Sequence, residues 1–251
     1  KYPLMVDTFG VPQFKEEGIV LRTHKLGETD RIITLLSKNS GQIRAVAKGV
    51  RKTSSKIGAR LEPFMAVEAQ FYEGKTLDVV TQVESIASYG KQIVADYDSY
   101  LAGSRILETA ERLTRETSTT QHYQLLTGAL RSLSRMEHQP ELIAVSYQLR
   151  ALAISGWTPS FDQCSGCQAE GPHERFLVQV GGAVCENCAP PEATRLNPAT
   201  MILLAALLSG DWGQVEQADS FSAEQAQGIT RAFMQWHLER GLKSMNITES
   251  R

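Results

Sequence analysis

The four cysteines of this 251-residue chain all lie between positions 164 and 188, as Cys164-Ser165-Gly166-Cys167 and Cys185-Glu186-Asn187-Cys188. A CxxC turn presents two thiolates on one side of a metal. Two such knuckles complete the tetrahedron that Zn²⁺ forms with soft sulfur ligands. The spacing therefore predicts one zinc ion on Cys164, Cys167, Cys185 and Cys188. A closed four-cysteine site has no open position for water or substrate, so the expected role is structural rather than catalytic. Two disulfides are the competing pairing, but nothing else in the chain has a secreted character. His173 lies between the knuckles, where four cysteines already fill the ligand set. The segment between them reads as a ribbon: residues 176–180 as a strand, Gly181-Gly182 as a tight turn, and Ala183-Val184 returning to the second knuckle.

Other chemistry is sparse. His24, His122, His138, His173 and His237 form no HExxH pattern. There is no GxGxxG after a strand, no GxxxxGK[ST] phosphate loop and no GxSxG elbow. Pairs such as Glu16-Glu17 read as solvated surface. The expectation is a binding protein, not an enzyme.

Charge supplies the positive signal. The net charge is −2, but residues 1–90 hold 13 Lys/Arg against 10 Asp/Glu, and the remainder 13 against 18. No acidic residue lies between Asp30 and Glu62, while eight basic ones do. Local rather than net charge decides where phosphates are drawn. Lys48 to Lys56 is a Gly/Ser/Thr-containing loop carrying four cations, suited to follow a nucleic-acid backbone. The residues expected at DNA are Arg44, Lys48, Arg51, Lys52, Lys56 and Arg60, with Arg22, Lys38 and Lys75 as secondary candidates. Phe64, Phe71 and Tyr72 are the nearby aromatics. In a regular strand Phe64 and Phe71 fall on opposite faces, leaving at least one available to stack on a base.

These residues need elements to hold them. Residues 19–23, 31–36, 43–47, 64–72 and 77–83 read as five strands separated by turns, the pattern of a small antiparallel barrel or sandwich, with about 70 residues suiting an OB-like barrel. From about residue 86 the period changes. Leu107, Ala110 and Leu113 share a helical face, as do Tyr123, Leu126, Leu130 and Leu133, and Leu142, Val145, Leu149 and Leu152. Pro140 and Pro198 suit first helical turns, Asn197 a cap, and Ser222 the cap of the last helix. The expected fold class is α+β multidomain. Residues 1–85 form a small five-stranded β-barrel, OB-like or SH3-like since periodicity alone does not separate the two, and carry the cations expected at DNA. Residues 86–163 and 190–251 form a helical domain, and residues 164–189 a four-cysteine, zinc-ribbon-like lobe inserted in it. No apolar run approaches the roughly 20 residues that span a bilayer, so no membrane contact is expected. The N-terminus shows no signal peptide. Clustered thiolates argue for the cytoplasm.

Several motifs together resemble the RecO family of bacterial DNA repair and recombination mediators. They are Gly18-Ile19-Val20-Leu21-Arg22-Thr23, Leu26-Gly27-Glu28-Thr29-Asp30-Arg31-Ile32, Ala47-Lys48-Gly49-Val50-Arg51 and Leu61-Glu62-Pro63-Phe64. The late knuckles and the final Gly241-Leu242-Lys243-Ser244 extend the likeness over nearly the whole chain. Where family members often have arginine after Lys-Ser, this chain has Met245. The resemblance implies an OB-fold, a helical domain and a zinc lobe. It implies binding of single- and double-stranded DNA, annealing of complementary strands and partnership with RecR. It also implies contact with single-stranded-DNA-binding protein, assistance in loading RecA, and a cytoplasmic, nucleoid-associated location. The alternative is a zinc-containing protein–protein adaptor with only incidental DNA contact, favoured by the acidic balance of residues 91–251. A zinc hydrolase is a third reading and requires an open coordination site.

Overall fold

The computed structural model describes residues 5–6, 12–53, 55, 57–115 and 119–248, with side chains described within 13–238. The chain forms two compact units, Lys1–Glu137 and His138–Arg251.

The first unit is built on a sheet of β1 (Met5–Val6), β2 (Pro12–Leu26), β3 (Asp30–Ser37), β4 (Gly41–Ala47), β5 (Met65–Tyr72) and β6 (Asp78–Ser88). Its order is β1-β2-β3-β4-β6-β5, and β2 pairs with β5 as well, so the pairings of the five long strands return to their start. All pairings are antiparallel except β4 with β6. β2 serves both neighbours: Gly18 to Leu26 pair with β3, and Gln13 to Ile19 pair with β5. The sequence reads only residues 19–23 as this strand because Lys15-Glu16-Glu17 interrupts the apolar pattern. Those acids are matched in the fold. Glu16 accepts hydrogen bonds from the Ser37 and Ser40 hydroxyls, and Glu17 from Tyr123 and Lys38.

Side chains alternate along β4 and β5, as a two-residue period requires. Ile43, Ala45 and Ala47 point inward with Val67, Ala69 and Phe71, and the Phe14 and Phe71 rings stack with centroids 5.0 Å apart. β3 is buried on both faces from Ile33 to Ser37. Among the described residues, the sheet is followed in this unit by α1 (Gly90–Ile93), α2 (Tyr97–Leu113) and α3 (Thr120–Arg135). Asp96 caps α2, accepting the Ser99 N–H at 2.8 Å. Leu107, Ala110 and Leu113 are buried, as are Tyr123, Leu126, Leu130 and Leu133. Gln42 Nε2 ties the end of α2 to β4, donating to the Glu111 carbonyl at 2.6 Å and to Thr114 Oγ1 at 2.9 Å. Tyr123 ties α3 to β2 through Glu17, at 2.7 Å. The stretch expected as the first part of a helical domain is thus shared: α1–α3 lie in the first unit and the next helix in the second.

That helix, α4 (Pro140–Ile154), is apolar nearly all round and buried from Leu142 to Leu149. A helix of that kind needs partners on several sides. It packs against α5 (Pro198–Ser209) and α7 (Ser220–Thr248), and Ser146 Oγ donates to the Leu207 carbonyl at 2.7 Å. Of the helices before the cysteine segment, α4 therefore packs with α5 and α7 after it. Between them lie β7 (Arg175–Leu177), β8 (Gly182–Val184) and β9 (Thr194–Arg195), and a short α6 (Trp212–Val215) precedes α7. The strand expected over residues 176–180 ends at Leu177, because the Gly181 N–H turns back to the Leu177 and Val178 carbonyls. Pro140 and Pro198 occupy first turns, and Asn197 caps α5. Ser222 does not cap α7: its own N–H is the group capped, donating to Asp219 at 2.7 Å. Aspartate is the better acceptor for an orphan N–H at a helix start. Among the described residues, no helix is long and apolar enough to cross a membrane.

Candidate nucleic-acid interface and metal centre

The cations of the acid-free stretch are sorted by strand register. β3 runs from Arg31, opposite Ala47, to Ser37, opposite Gly41. At about 3.3 Å per residue these ends are roughly 20 Å apart. Lys48, Arg51 and Lys52 follow the Ala47 end, whereas Lys38 lies in the turn at the Gly41 end. Arg60, in a 3₁₀ turn (Gly58–Leu61), donates to the Val83 carbonyl at 2.7 Å. Because β4 runs parallel to β6 from Ala45 opposite Asp78, Lys75 sits toward the Gly41 end. Arg44 is exposed between the two ends. Lys38 is drawn to Glu17 at 3.1 Å and Arg22 to Glu111 at 3.4 Å. The eight expected contacts among the described residues therefore do not form one patch. Lys56 lies outside the described residues.

The Lys48 end is an ordered pair of turns. Asp30, at the start of β3, accepts the Gly49 N–H at 2.8 Å and the Thr29 hydroxyl at 2.8 Å. Those bonds, with Lys48 and Lys52 nearby, hold its carboxyl below the ordinary aspartate range. Gly49 has φ +66°, a left-handed conformation that suits glycine. From the same turn Arg51 reaches the β2–β3 hairpin. Its backbone N–H meets the Thr29 carbonyl at 2.9 Å, and its guanidinium meets the Gly27 and Glu28 carbonyls at 3.0 and 2.8 Å. The Gly27-Glu28-Thr29-Asp30 and Lys48-Gly49-Val50-Arg51 motifs are thus two halves of one clamp. Arg51 helps hold the turn, while Lys48 and Lys52 stand exposed on it. Sequence reading assigns Arg51 to DNA and gives Asp30 and Thr29 no role. The signal available is the acid that immediately precedes the cationic stretch.

The aromatic expectation is overturned. Phe64 and Phe71 are both buried, at 4% and 0% exposure. Phe71 faces inward on β5. Phe64 precedes that strand with φ +71°, so strand alternation does not apply to it. Among the described residues, the exposed aromatics of this unit stand instead on α2, at Tyr97 and Tyr100.

In the second unit the four cysteine sulfurs lie within 4.8 Å of one another. Cys167 and Cys185 Sγ are 3.8 Å apart. A tetrahedral site with metal–sulfur bonds near 2.3 Å has sulfur–sulfur edges of about 3.8 Å, so the arrangement fits one metal ion. Local backbone prepares it. The Cys185 N–H points at Cys164 Sγ from 3.3 Å and the Gly166 N–H from 3.4 Å. Amides of Cys185, Cys167 and Gly166 lower the Cys164 thiol to about 6. Side-chain hydrogen bonds to Cys185, then Cys167, push the Cys188 thiol up to about 12. His173 is not in the cluster; its Nε2 lies 2.9 Å from the Ala169 carbonyl. The lobe has a core of its own around Cys164, Val184 and Ala193. It joins α7 through rings, with Phe176 stacked on Phe161 and edge-on to Phe233.

The chain is similar to known proteins over most of its length. Residues 11–89 match the family model "Recombination protein O N terminal", and residues 94–246 match "Recombination protein O C terminal". A DNA repair protein RecO of Streptomyces coelicolor is 48% identical over 244 residues, covering 94% of this chain and 98% of that protein. The DNA repair protein RecO of a Nocardioides species is 47% identical over 241 residues, with 94% and 99% coverage. That of Thermobifida fusca is 44% identical over 238 residues, with 94% and 98% coverage. With both family models in order and relatives aligned almost end to end, this chain belongs to the RecO family.

Proposed function

We propose that the chain is a DNA repair and recombination mediator that binds single- and double-stranded DNA and anneals complementary strands. The observation that carries this reading is the ordered turn displaying Lys48 and Lys52 beside the exposed Arg44, in a stretch without acids. Two strands repel through their phosphates. A cationic surface lowers that repulsion and concentrates both, which needs no covalent step and no nucleotide hydrolysis. Arg60 and Arg51 add charge at the same end, and Lys56 is a further contact expected from the sequence. Arg22, Lys38 and Lys75 are secondary contacts.

The five long strands of the first unit are read as an OB-like barrel. Their cyclic pairing order and the parallel β4–β6 contact support this, as does the match to the family's N-terminal model. In this reading residues 1–85 carry the DNA site, and residues 164–189 are a lobe set between helices at 86–163 and 190–251. The metal is read as one structural Zn²⁺ on Cys164, Cys167, Cys185 and Cys188, because four thiolates are its preferred closed set. Family membership supports RecR, single-stranded-DNA-binding protein and the RecA-loading pathway as partners, in the cytoplasm at the nucleoid.

The test is a strand-annealing assay on the full chain with two complementary labelled oligonucleotides. The wild type is expected to accelerate annealing, and Lys48→Glu with Lys52→Glu to abolish most of that acceleration while metal content stays unchanged. An unaltered rate in the double variant places the DNA surface elsewhere.

A further inference from the structure

A groove of about 770 Å³ runs between β2 and α2 in the first unit. Its volume lies in the range of ligand pockets. Its floor is apolar, with Leu21, Phe64 and Leu107 each at most 5% exposed. Tyr100 stands on the α2 side, 45% exposed, with its ring edge-on to Phe64 at 6.5 Å. Tyr97, one turn earlier on the same helix, is 73% exposed. Arg22, Arg112 and Arg115 line the groove and are all exposed.

Two carboxylates also line it. Glu111 is met by Arg22 and Glu108 by Arg112, so both acids are matched and Arg115 is the surplus positive charge. Strand register relates the groove edge to Arg44. Arg22 pairs with Thr34 across β2–β3, and Thr34 with Arg44 across β3–β4. Cross-strand partners share a face, so Arg22 and Arg44 lie in one row, two strand spacings or about 10 Å apart.

An exposed aromatic ring over an apolar floor, edged by arginines, is the chemistry that receives unstacked bases. A duplex keeps its base faces inside the stack and cannot offer them to Tyr100. We propose that this groove seats one or two bases of a single strand, with Tyr100 against a base face and Arg22, Arg112 and Arg115 at the flanking phosphates. It thereby separates single-strand from duplex binding. The inference rests on the DNA-binding reading above: duplex contacts the Lys48 end only, and a single strand contacts both.

The experiment titrates the full chain into a labelled oligothymidine strand and into a labelled duplex of equal length. Stacking is worth about 1–3 kcal/mol per base, so Tyr100→Ala should weaken strand binding roughly tenfold. Duplex binding should hold, and Tyr100→Phe should retain strand affinity. Arg115→Ala should lower the strand's salt slope by about 0.7. Lys48→Glu with Lys52→Glu should weaken both ligands. Thermal melts of each variant separate a lost contact from a lost fold, and the Tyr100→Phe and Arg115→Ala variants remain informative if Tyr100→Ala does not fold. Strand affinity unchanged in Tyr100→Ala and Arg115→Ala, but lost in the Lys48/Lys52 variant, overturns the groove and leaves the DNA reading standing. A wild type that binds neither ligand overturns both. Protection of Arg112 and Arg115 from arginine-directed modification by an acidic peptide, but not by the strand, assigns the groove to a protein tail and overturns the proposal.

Discussion

Tyr123 donates its hydroxyl to Glu17 at 2.7 Å, and Lys38 shares the same carboxylate at 3.1 Å. The Tyr123 bond, with help from Lys38, holds the Glu17 carboxyl below the ordinary glutamate range. A carboxyl whose folded pKa is depressed contributes stability that is complete above its unfolded pKa, near 4.3, and is lost as pH falls through the folded value. Tyr123→Phe should therefore cost on the order of 1 kcal/mol at pH 7, the lower end for a bond to a partly exposed charge. Urea denaturation at pH 7 and at about pH 3 checks this. The gap between wild type and variant should shrink in acid, and an equal gap at both pH values contradicts the assignment. Arg51 makes a different residue-scale point. A guanidinium anchored on two backbone carbonyls serves the turn first, so Arg51→Ala should speed amide exchange at Gly49 and Arg51. Lys48→Glu should leave those amides protected.

Among the elements, the cysteine lobe and α7 hold each other. Gly181, with φ +68°, sits where a Cβ would come within 2.8 Å of the Phe233 ring. Gly181→Ala should lower the thermal midpoint: left-handed backbone alone costs about 1–2 kcal/mol for a residue with a Cβ, and the ring must also move. An unchanged midpoint contradicts this packing. Cys164→Ser should release the metal and loosen the lobe. X-ray absorption of the native protein should show four sulfur ligands to zinc, and a light-atom ligand in place of one sulfur contradicts the closed site. The knuckles were legible in the sequence because a CxxC turn is local and its spacing alone converges the sulfurs. Pro140, Asn197 and Pro198 were legible for the same reason. The α7 cap was not, because Asp219, Ser220 and Ser222 are all capping residue types within four positions and only the backbone path selects Asp219. The clamp between the Gly27–Asp30 hairpin and the Lys48–Arg51 turn was beyond sequence reading too. It depends on β3 placing Arg31 opposite Ala47, a register that no local pattern encodes. Phe64 misled because a positive φ before β5 breaks the alternation assumed for it.

At the scale of the whole molecule, cationic character is concentrated early in the chain while the rest is acidic. Residues 1–90 carry 13 basic and 10 acidic side chains, and residues 91–251 carry 13 and 18. A near-neutral protein of this kind binds polyanions only where its cations are gathered, so affinity should depend on few residues and steeply on salt. That is the central claim, and the salt dependence of single-strand binding tests it most directly. The logarithm of the association constant for an oligothymidine strand, plotted against the logarithm of salt concentration, should fall linearly. Each phosphate contact contributes a slope of about −0.7, so removing Lys48 and Lys52 together should flatten it by about 1.4. A double variant with the wild-type slope and affinity contradicts the account.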